Sequence, residues 1–105
     1  MLIRYTTPTV QFTFSDIDVT EITESYLIIK QGGKVIIERD LTTADVVHTA
    51  QANYLAWTLT QAETASLTKS FTAQIYCDWK LQDGTRGRSA TKSATVQESG
   101  KLEVI

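Results

Sequence analysis

Cysteine, histidine and proline are nearly absent from this chain, which has one residue of each among 105. A single cysteine excludes an intramolecular disulfide, so packing alone must hold the fold together. One cysteine and one histidine cannot form a tetrahedral zinc site, and a lone histidine does not indicate a catalytic triad. We therefore expect no metal, no cofactor and no catalytic residues, with Cys77 an inert buried thiol and His48 an ordinary loop residue.

Long apolar runs and an excess of charge are also lacking. The run at 26–29 has four residues, whereas a membrane-spanning helix needs about 20. Residues 1–15 contain no continuous apolar stretch of the kind that signal peptides carry. Twelve acidic and ten basic residues give a net charge of −2, which provides no general field for nucleic acid or anionic lipid. We expect neither a membrane nor a nucleic-acid partner, and synthesis in the cytoplasm.

What the sequence does have is the composition of a soluble globular protein, with 42% apolar and 21% charged residues. Its length suits one core. We expect a single domain over residues 1–97 and a short C-terminal extension over residues 98–105.

A glycine hairpin is the clearest local signal. Two β-rich runs, ITESYLIIKQ and KVIIERDL, flank Gly32 and Gly33. Glycine reaches the positive φ that both central positions of a type I′ turn require, which favours a two-residue loop. That loop predicts a regular register in which Ile29 lies opposite Ile36.

Both faces of this hairpin carry apolar side chains, although a sandwich core covers only one. We therefore expect the other face to bind a partner. The candidate set is Leu27, Ile29 and Ile36, and the alternative set is Tyr26, Ile28 and Ile37.

Two later segments are also predicted to be strands, with a helical turn between them. YLAWTLT alternates cleanly, with Leu55, Trp57 and Leu59 on one face. Thr60 followed by Glu63 is a capping-box pattern, which predicts a single helical turn that carries the chain between sheets. SFTAQIYCDWKL then alternates over twelve residues, so it is predicted to be a central strand with Trp79 facing the core.

The last long segment contains the one basic cluster. A three-residue loop centred on Gly84 places Arg86, Arg88 and Lys92 outward, whereas a two-residue loop would put charges in the core. Arg86 and Arg88 therefore join the candidate interaction surface. This register also turns Ala94 outward, so a second irregularity is expected between residues 89 and 94. Six or seven short strands and one helical turn predict an all-β, antiparallel β-sandwich.

The order of four segments resembles a known family. TTPTVQFTF near the start, YLIIKQGGKVIIERDL, WTLTQAETASL and a DG turn before a strand ending in LEVI are similar to the immunoglobulin-like N-terminal domain of phage baseplate upper proteins. Short stand-alone relatives occur in prophage tail modules of Gram-positive bacteria. The resemblance implies an immunoglobulin-like sandwich of about seven strands and a non-enzymatic structural role in the virion.

The resemblance also implies the partners, which are other phage tail or baseplate proteins and further copies of the chain. Such a protein assembles in the host cytoplasm and then resides in the virion. The alternative function is a carbohydrate-binding sandwich that uses Tyr54, Tyr76 or Trp79 as a stacking platform.

Overall fold

The computed structural model describes residues 2–68 and 71–97, and the expected C-terminal extension lies outside them. Within those residues it has nine strands, one short helix and two turns of 3₁₀ helix. The strands are β1 Leu2–Ile3, β2 Thr9–Thr13, β3 Ile22–Gln31, β4 Lys34–Asp40, β5 Asp45–His48, β6 Asn53–Thr58, β7 Thr72–Leu81, β8 Arg86–Arg88 and β9 Lys92–Gln97. The helix α1 is Gln61–Ala65, and the 3₁₀ turns are Val19–Glu21 and Leu41–Thr43.

These strands form two sheets. The large sheet has the order β1-β9-β7-β3-β4, with β8 also paired to β7, and the small sheet has the order β2-β6-β5. In chain order, β2 to β9 therefore correspond to strands B, C, C′, D, E, F and G of an immunoglobulin sandwich, with β8 and β9 sharing the last position. β1 pairs in parallel with β9. The predicted immunoglobulin-like β-sandwich is confirmed.

The core lies between the inner faces of the two sheets. Trp57 is fully buried, and its indole N–H donates to the carbonyl of Asp40 at 2.8 Å, which ties the small sheet to the end of β4. Leu55 and Leu59 are also fully buried, as the alternation of YLAWTLT predicted. Phe12 packs edge-to-face on Trp57, with ring centroids 6.1 Å apart.

The connection from β6 to β7 follows the predicted capping box. The Thr60 hydroxyl accepts from the backbone N–H of Glu63 at 3.1 Å, and the Glu63 carboxylate accepts from the N–H of Thr60 at 2.9 Å. Both hydrogen bonds satisfy backbone N–H groups at the start of the helix that lack an intrahelical partner. The same carboxylate accepts from Arg39 of β4 at 2.7 Å, so the helical turn is linked to the large sheet.

The hairpin between β3 and β4 has the predicted turn but a shifted register. Gly32 and Gly33 have φ of 59° and 78°, as a type I′ turn requires. Ile29 lies opposite Ile37 rather than Ile36, because the register shifts at Ile29 and leaves an extra residue on β4. One extra residue exchanges the two faces of the rest of the strand.

The last long segment of the chain is interrupted between β8 and β9, where an irregularity was expected. β8 pairs with β7 so that Gly87 lies opposite Trp79, whereas β9 pairs so that Lys92 lies opposite Ile75. The loop between β7 and β8 has three residues, as predicted, but it spans residues 82–84 and is not centred on Gly84. β8 is therefore displaced by two residues along β7 relative to the predicted register. Because a shift of two residues does not exchange the faces of a strand, Arg86 and Arg88 still point outward. The break at residues 89–91 shifts the register by one and turns Ala94 and Val96 inward.

Candidate functional site

The predicted interaction residues of the hairpin do not lie on the surface as a set. Leu27 and Ile29 are fully buried in the core, and Ile36 is partly buried against it. Their assignment to an outward surface is wrong, because this face of β3 is the one that the small sheet covers. In the alternative set, Tyr26 and Ile28 lie on the opposite side of β3, but only Tyr26 is exposed, since Ile28 is 9% exposed and Ile37 is buried in the core.

Arg86 and Arg88 lie outward, as predicted, on β8. They share the side of the large sheet that faces away from the core with alternate residues of β3, β4 and β7. We call this side the outer face. It comprises Glu24, Tyr26, Ile28, Lys30, Val35, Glu38, Asp40, Gln74, Tyr76, Asp78, Lys80, Arg86 and Arg88.

The centre of the outer face is an aromatic ring covered by two cations. The guanidinium carbon of Arg88 lies 4.2 Å from the ring centroid of Tyr76, and the ammonium of Lys30 lies 5.5 Å from it. Both distances are within the range of cation–π attraction. Only 6% of Tyr76 is exposed, so the ring supports the cations above it.

Arg88 is also held by a carboxylate. Its Nε donates to Asp78 Oδ1 at 2.6 Å and its Nη2 to Oδ2 at 3.1 Å, a bidentate geometry that fixes the plane of the guanidinium. The hydrogen bond that Arg88 donates to Asp78 raises the pKa of Arg88. Because 56% of the side chain remains exposed, the outer face presents an arginine that is oriented yet accessible.

Two apolar side chains next to this cluster remain uncovered. Tyr26 is 39% exposed and Val35 is 44% exposed. An open groove of about 320 Å³ runs between Tyr26 and β8, with Glu24, Lys80 and Arg86 along it. The outer face therefore combines fixed charges, exposed apolar surface and a concave surface, which are features of a binding surface.

A second cavity, of about 440 Å³, opens between the sheets beside the break at residues 89–91. Phe14 and Trp79 meet there edge-to-face, with centroids 6.3 Å apart. Lys92, which was predicted to point outward, lies on the inner side instead. Its ammonium caps the opening by donating to the Gln11 carbonyl at 3.3 Å and by lying 5.2 Å from the Phe12 ring centroid.

The three aromatic residues of the carbohydrate hypothesis do not form one platform. Tyr76 lies under cations on the outer face, and Trp79 lies on the inner face with its ring against Gly87. Tyr54 belongs to the small sheet, on the side opposite the buried Leu55. A sugar ring needs an accessible aromatic face, which Tyr76 does not offer.

The two residues that were considered for catalysis or metal binding, His48 and Cys77, make structural contacts. His48 bonds to Asn53 at 2.9 Å and approaches Asp18 at 3.4 Å. Cys77 is fully buried, and burial raises the pKa of its thiol to about 11, opposite to what a nucleophile needs. Among residues 2–68 and 71–97, no three side chains of the metal-binding types are grouped to hold an ion.

Sequence reasoning named Tyr26 only in the alternative set, and it did not place Glu38 or Asp78 on the interaction surface. The signal was available in part, because Tyr26 and Asp78 alternate with buried neighbours on their strands. The position of Glu38 depends on the shifted register of β4, which places it opposite Ile28. No pattern in the sequence marks that shift.

In the part of the chain that the structure describes, no helix has the length and apolarity of a membrane span. No protein-family model matches the chain, and no curated protein matches it. Among solved structures, the chain is similar to one of murine CRIg, with a TM-score of 0.41 and 12% identity over 92% of this chain and 88% of that one.

Proposed function

We propose that the chain is a non-catalytic protein–protein assembly module that binds through the outer face, and that it serves as a structural protein of a phage or prophage tail or baseplate. The observation that carries the binding role is the arrangement of Arg88, fixed by Asp78 and Tyr76, beside the exposed Tyr26 and Val35. The order of sequence segments supports the virion role.

A protein partner suits this surface better than a small molecule does. Arginine and tyrosine are among the residues that most often supply binding energy at protein interfaces. A guanidinium that is already oriented loses little entropy on binding. The groove beside it is open rather than enclosed, so it fits side chains of a partner that lies across the sheet.

The test compares two valines of equal exposure on different sheets. Val35 lies on the outer face and Val46 lies on β5 of the small sheet, and each is 44% exposed. Particles are produced from a strain whose prophage encodes Val35→Lys or Val46→Lys, and the chain is quantified in purified particles by mass spectrometry. Thermal unfolding of each isolated variant checks that it folds.

We expect normal folding of both variants and at least a tenfold loss of incorporation for Val35→Lys alone. Equal incorporation of both variants would exclude the outer face as the assembly surface. Absence of the unsubstituted chain from purified particles would exclude the virion role.

A further inference from the structure

The small sheet has an unpaired edge at β2. In an immunoglobulin sandwich, strand A pairs with strand B in the sheet that also holds strands E and D, and β2 is strand B here. Within residues 2–68 and 71–97, β2 pairs with β6 alone, and β1, which precedes it, pairs with β9 of the large sheet instead. β2 therefore has one edge along which no described strand pairs.

The backbone of β2 presents hydrogen-bonding groups along this edge. The even-numbered residues of the segment bond to β6, as the N–H of Phe14 does to the Asn53 carbonyl at 2.9 Å. Because the direction of these groups alternates along a strand, the N–H and C=O groups of Thr9, Gln11 and Thr13 point to the unpaired edge. An extended peptide bonds to such a row of groups by adding as a further strand.

The β2 edge also lacks the features that discourage pairing at the other long edges. The edge strand β4 has four charged residues and a register irregularity, and the edge strand β5 has only four residues. Charged side chains, bulges and short length all protect a sheet edge from an added strand. β2 has no charged side chain over Thr9–Thr13. Of these three edges, that of β2 is the best suited to accept a strand.

The cavity of about 440 Å³ between the sheets opens beside this edge, because residues 12–14 form part of its lining. Phe14 and Trp79, which also line it, are only partly buried. Successive side chains of a strand point to opposite sides, so every second side chain of a strand added to β2 points into the space between the sheets. Apolar side chains at those positions would cover Phe14 and Trp79.

Lys92 lies across the opening of the cavity. Its ammonium donates to the Gln11 carbonyl, which is where the N–H of an added strand would donate. Arg88 and Asp16 also line the cavity, and Arg88 is already paired with Asp78. In the described ranges Lys92 has no ion-pair partner. A carboxylate of an added strand can therefore bind the ammonium once the strand has taken the carbonyl.

We propose that the β2 edge binds an extended segment of a partner protein, which adds antiparallel to β2 in the position of strand A. The segment has apolar residues at alternate positions, whose side chains enter the cavity, and an acidic residue whose carboxylate meets Lys92. The small sheet supplies the strand that is extended, so this contact does not depend on binding at the outer face.

Hydrogen exchange of backbone amides in the full chain, followed by NMR at low protein concentration, tests whether the edge is open. The N–H groups of Gln11 and Thr13 should exchange at least about tenfold faster than the N–H of Phe12, which faces β6. Protection of Gln11 and Thr13 in the chain alone would overturn the proposal, because the chain itself, for instance through residues 98–105, would then cover the edge.

A displayed library of random peptides of about nine residues, long enough to span β2, is then selected on the full chain. The selected peptides should have alternate apolar residues and an acidic residue. Each is synthesised with N-methyl groups on every second residue, in either of the two phases. The phase that removes the N–H groups facing β2 should weaken binding by about tenfold or more, whereas the other phase should change it little. No selected binder, or equal effects of the two phases, would overturn strand addition.

Two proline variants locate the site. Gln11→Pro removes an N–H at the β2 edge, and Val46→Pro is the matched control, because the Val46 N–H points away from β6 at the free edge of β5. Proline is tolerated where a strand N–H faces solvent, and urea unfolding checks that both variants fold. The selected peptides should bind Gln11→Pro about tenfold more weakly and Val46→Pro normally. Equal binding to both variants would overturn the β2 edge as the site.

Two further measurements keep the test decisive if Gln11→Pro fails to fold. Saturating peptide should protect the amides of Gln11 and Thr13 in the unsubstituted chain, and unchanged exchange with the peptide bound would overturn the proposal. Lys92→Met keeps most of the apolar stem but removes the charge. It should abolish the preference for an acidic residue, and a preference that persists in this variant would overturn the assignment of Lys92.

Discussion

The two faces of the large sheet differ in what covers them more than in what they contain. On β3, Leu27 and Ile29 point inward and are fully buried, while Tyr26 and Ile28 point outward, where Tyr26 is 39% exposed and Ile28 only 9% exposed. Both pairs are apolar. The inward pair is covered by the small sheet, whereas on the outer face cations lie over Tyr76 and leave Tyr26 exposed. Apolar alternation thus identifies a strand with two buriable faces, and the covering layer decides which face becomes the core.

The largest expected difference between the faces is in stability. Trp57→Ala should lower the free energy of unfolding by about 3–5 kcal/mol, because it leaves a cavity in the core and removes the hydrogen bond to the Asp40 carbonyl. Tyr26→Ala on the outer face should cost less than about 1 kcal/mol, since the side chain is 39% exposed. Urea unfolding of both variants measures the two costs. Equal losses would mean that the outer face is as well covered as the core.

The second prediction concerns the close contact between Gly87 and Trp79 on the inner face. A Cβ added to Gly87 would lie 2.2 Å from the Trp79 ring, so Gly87→Ala must displace the ring. We expect a loss of about 1–3 kcal/mol, as overpacking produces. In a Trp79→Leu background the same substitution should cost much less, and a double-mutant cycle by urea unfolding measures the difference. An unchanged cost in that background would place the strain elsewhere.

Local sequence signals predicted local structure well, because their causes are local. The Gly32 and Gly33 turn, the capping box of Thr60 and Glu63 and the alternation of β6 each depend on a few adjacent residues. The outward position of Arg86 and Arg88 followed from the cost of burying charge. These signals were enough to predict the sandwich.

Sequence reasoning failed where one residue shifts a register. The extra residue at Ile36 placed Ile37 inward and Glu38 outward, and the break at 89–91 turned Lys92 inward. A side-chain period of two makes each such shift exchange the faces of all following residues. The shifts arise from how strands fit neighbours that are distant in sequence, so the candidate site was predicted only in its basic part and, through the alternative set, at Tyr26.

The third prediction uses the Cys77 thiol to test whether the inner face of the large sheet is buried. Burial raises the pKa of Cys77 from 9.0 to about 11, so the folded protein holds this proton more tightly than the unfolded chain. The resulting stability is fully present below about pH 9 and is lost as the pH rises through about 11. Between about pH 8 and about pH 10, the unsubstituted chain should lose roughly 1 kcal/mol more than Cys77→Ala.

Chemical unfolding across this pH range measures both proteins, and groups that titrate in both cancel in the difference. Parallel curves would show that the thiol is solvated in the folded protein. The native thiol should likewise react with iodoacetamide only at the rate at which the protein unfolds or opens.

The smallest expected effect is the difference in coupling energy between two ion pairs, one on each side of the large sheet. Arg39 and Glu63 link β4 to the helical turn with side chains 20% and 23% exposed, whereas Arg88 and Asp78 lie on the outer face with 56% and 37% exposed. Exposure weakens an ion pair because water and salt screen it. A double-mutant cycle should give a coupling of about 1 kcal/mol for the first pair and less than about 0.5 kcal/mol for the second. Raising the salt concentration should reduce the outer coupling more. A stronger coupling for Arg88 and Asp78 would show that their bidentate geometry outweighs their exposure in setting the strength of the pair.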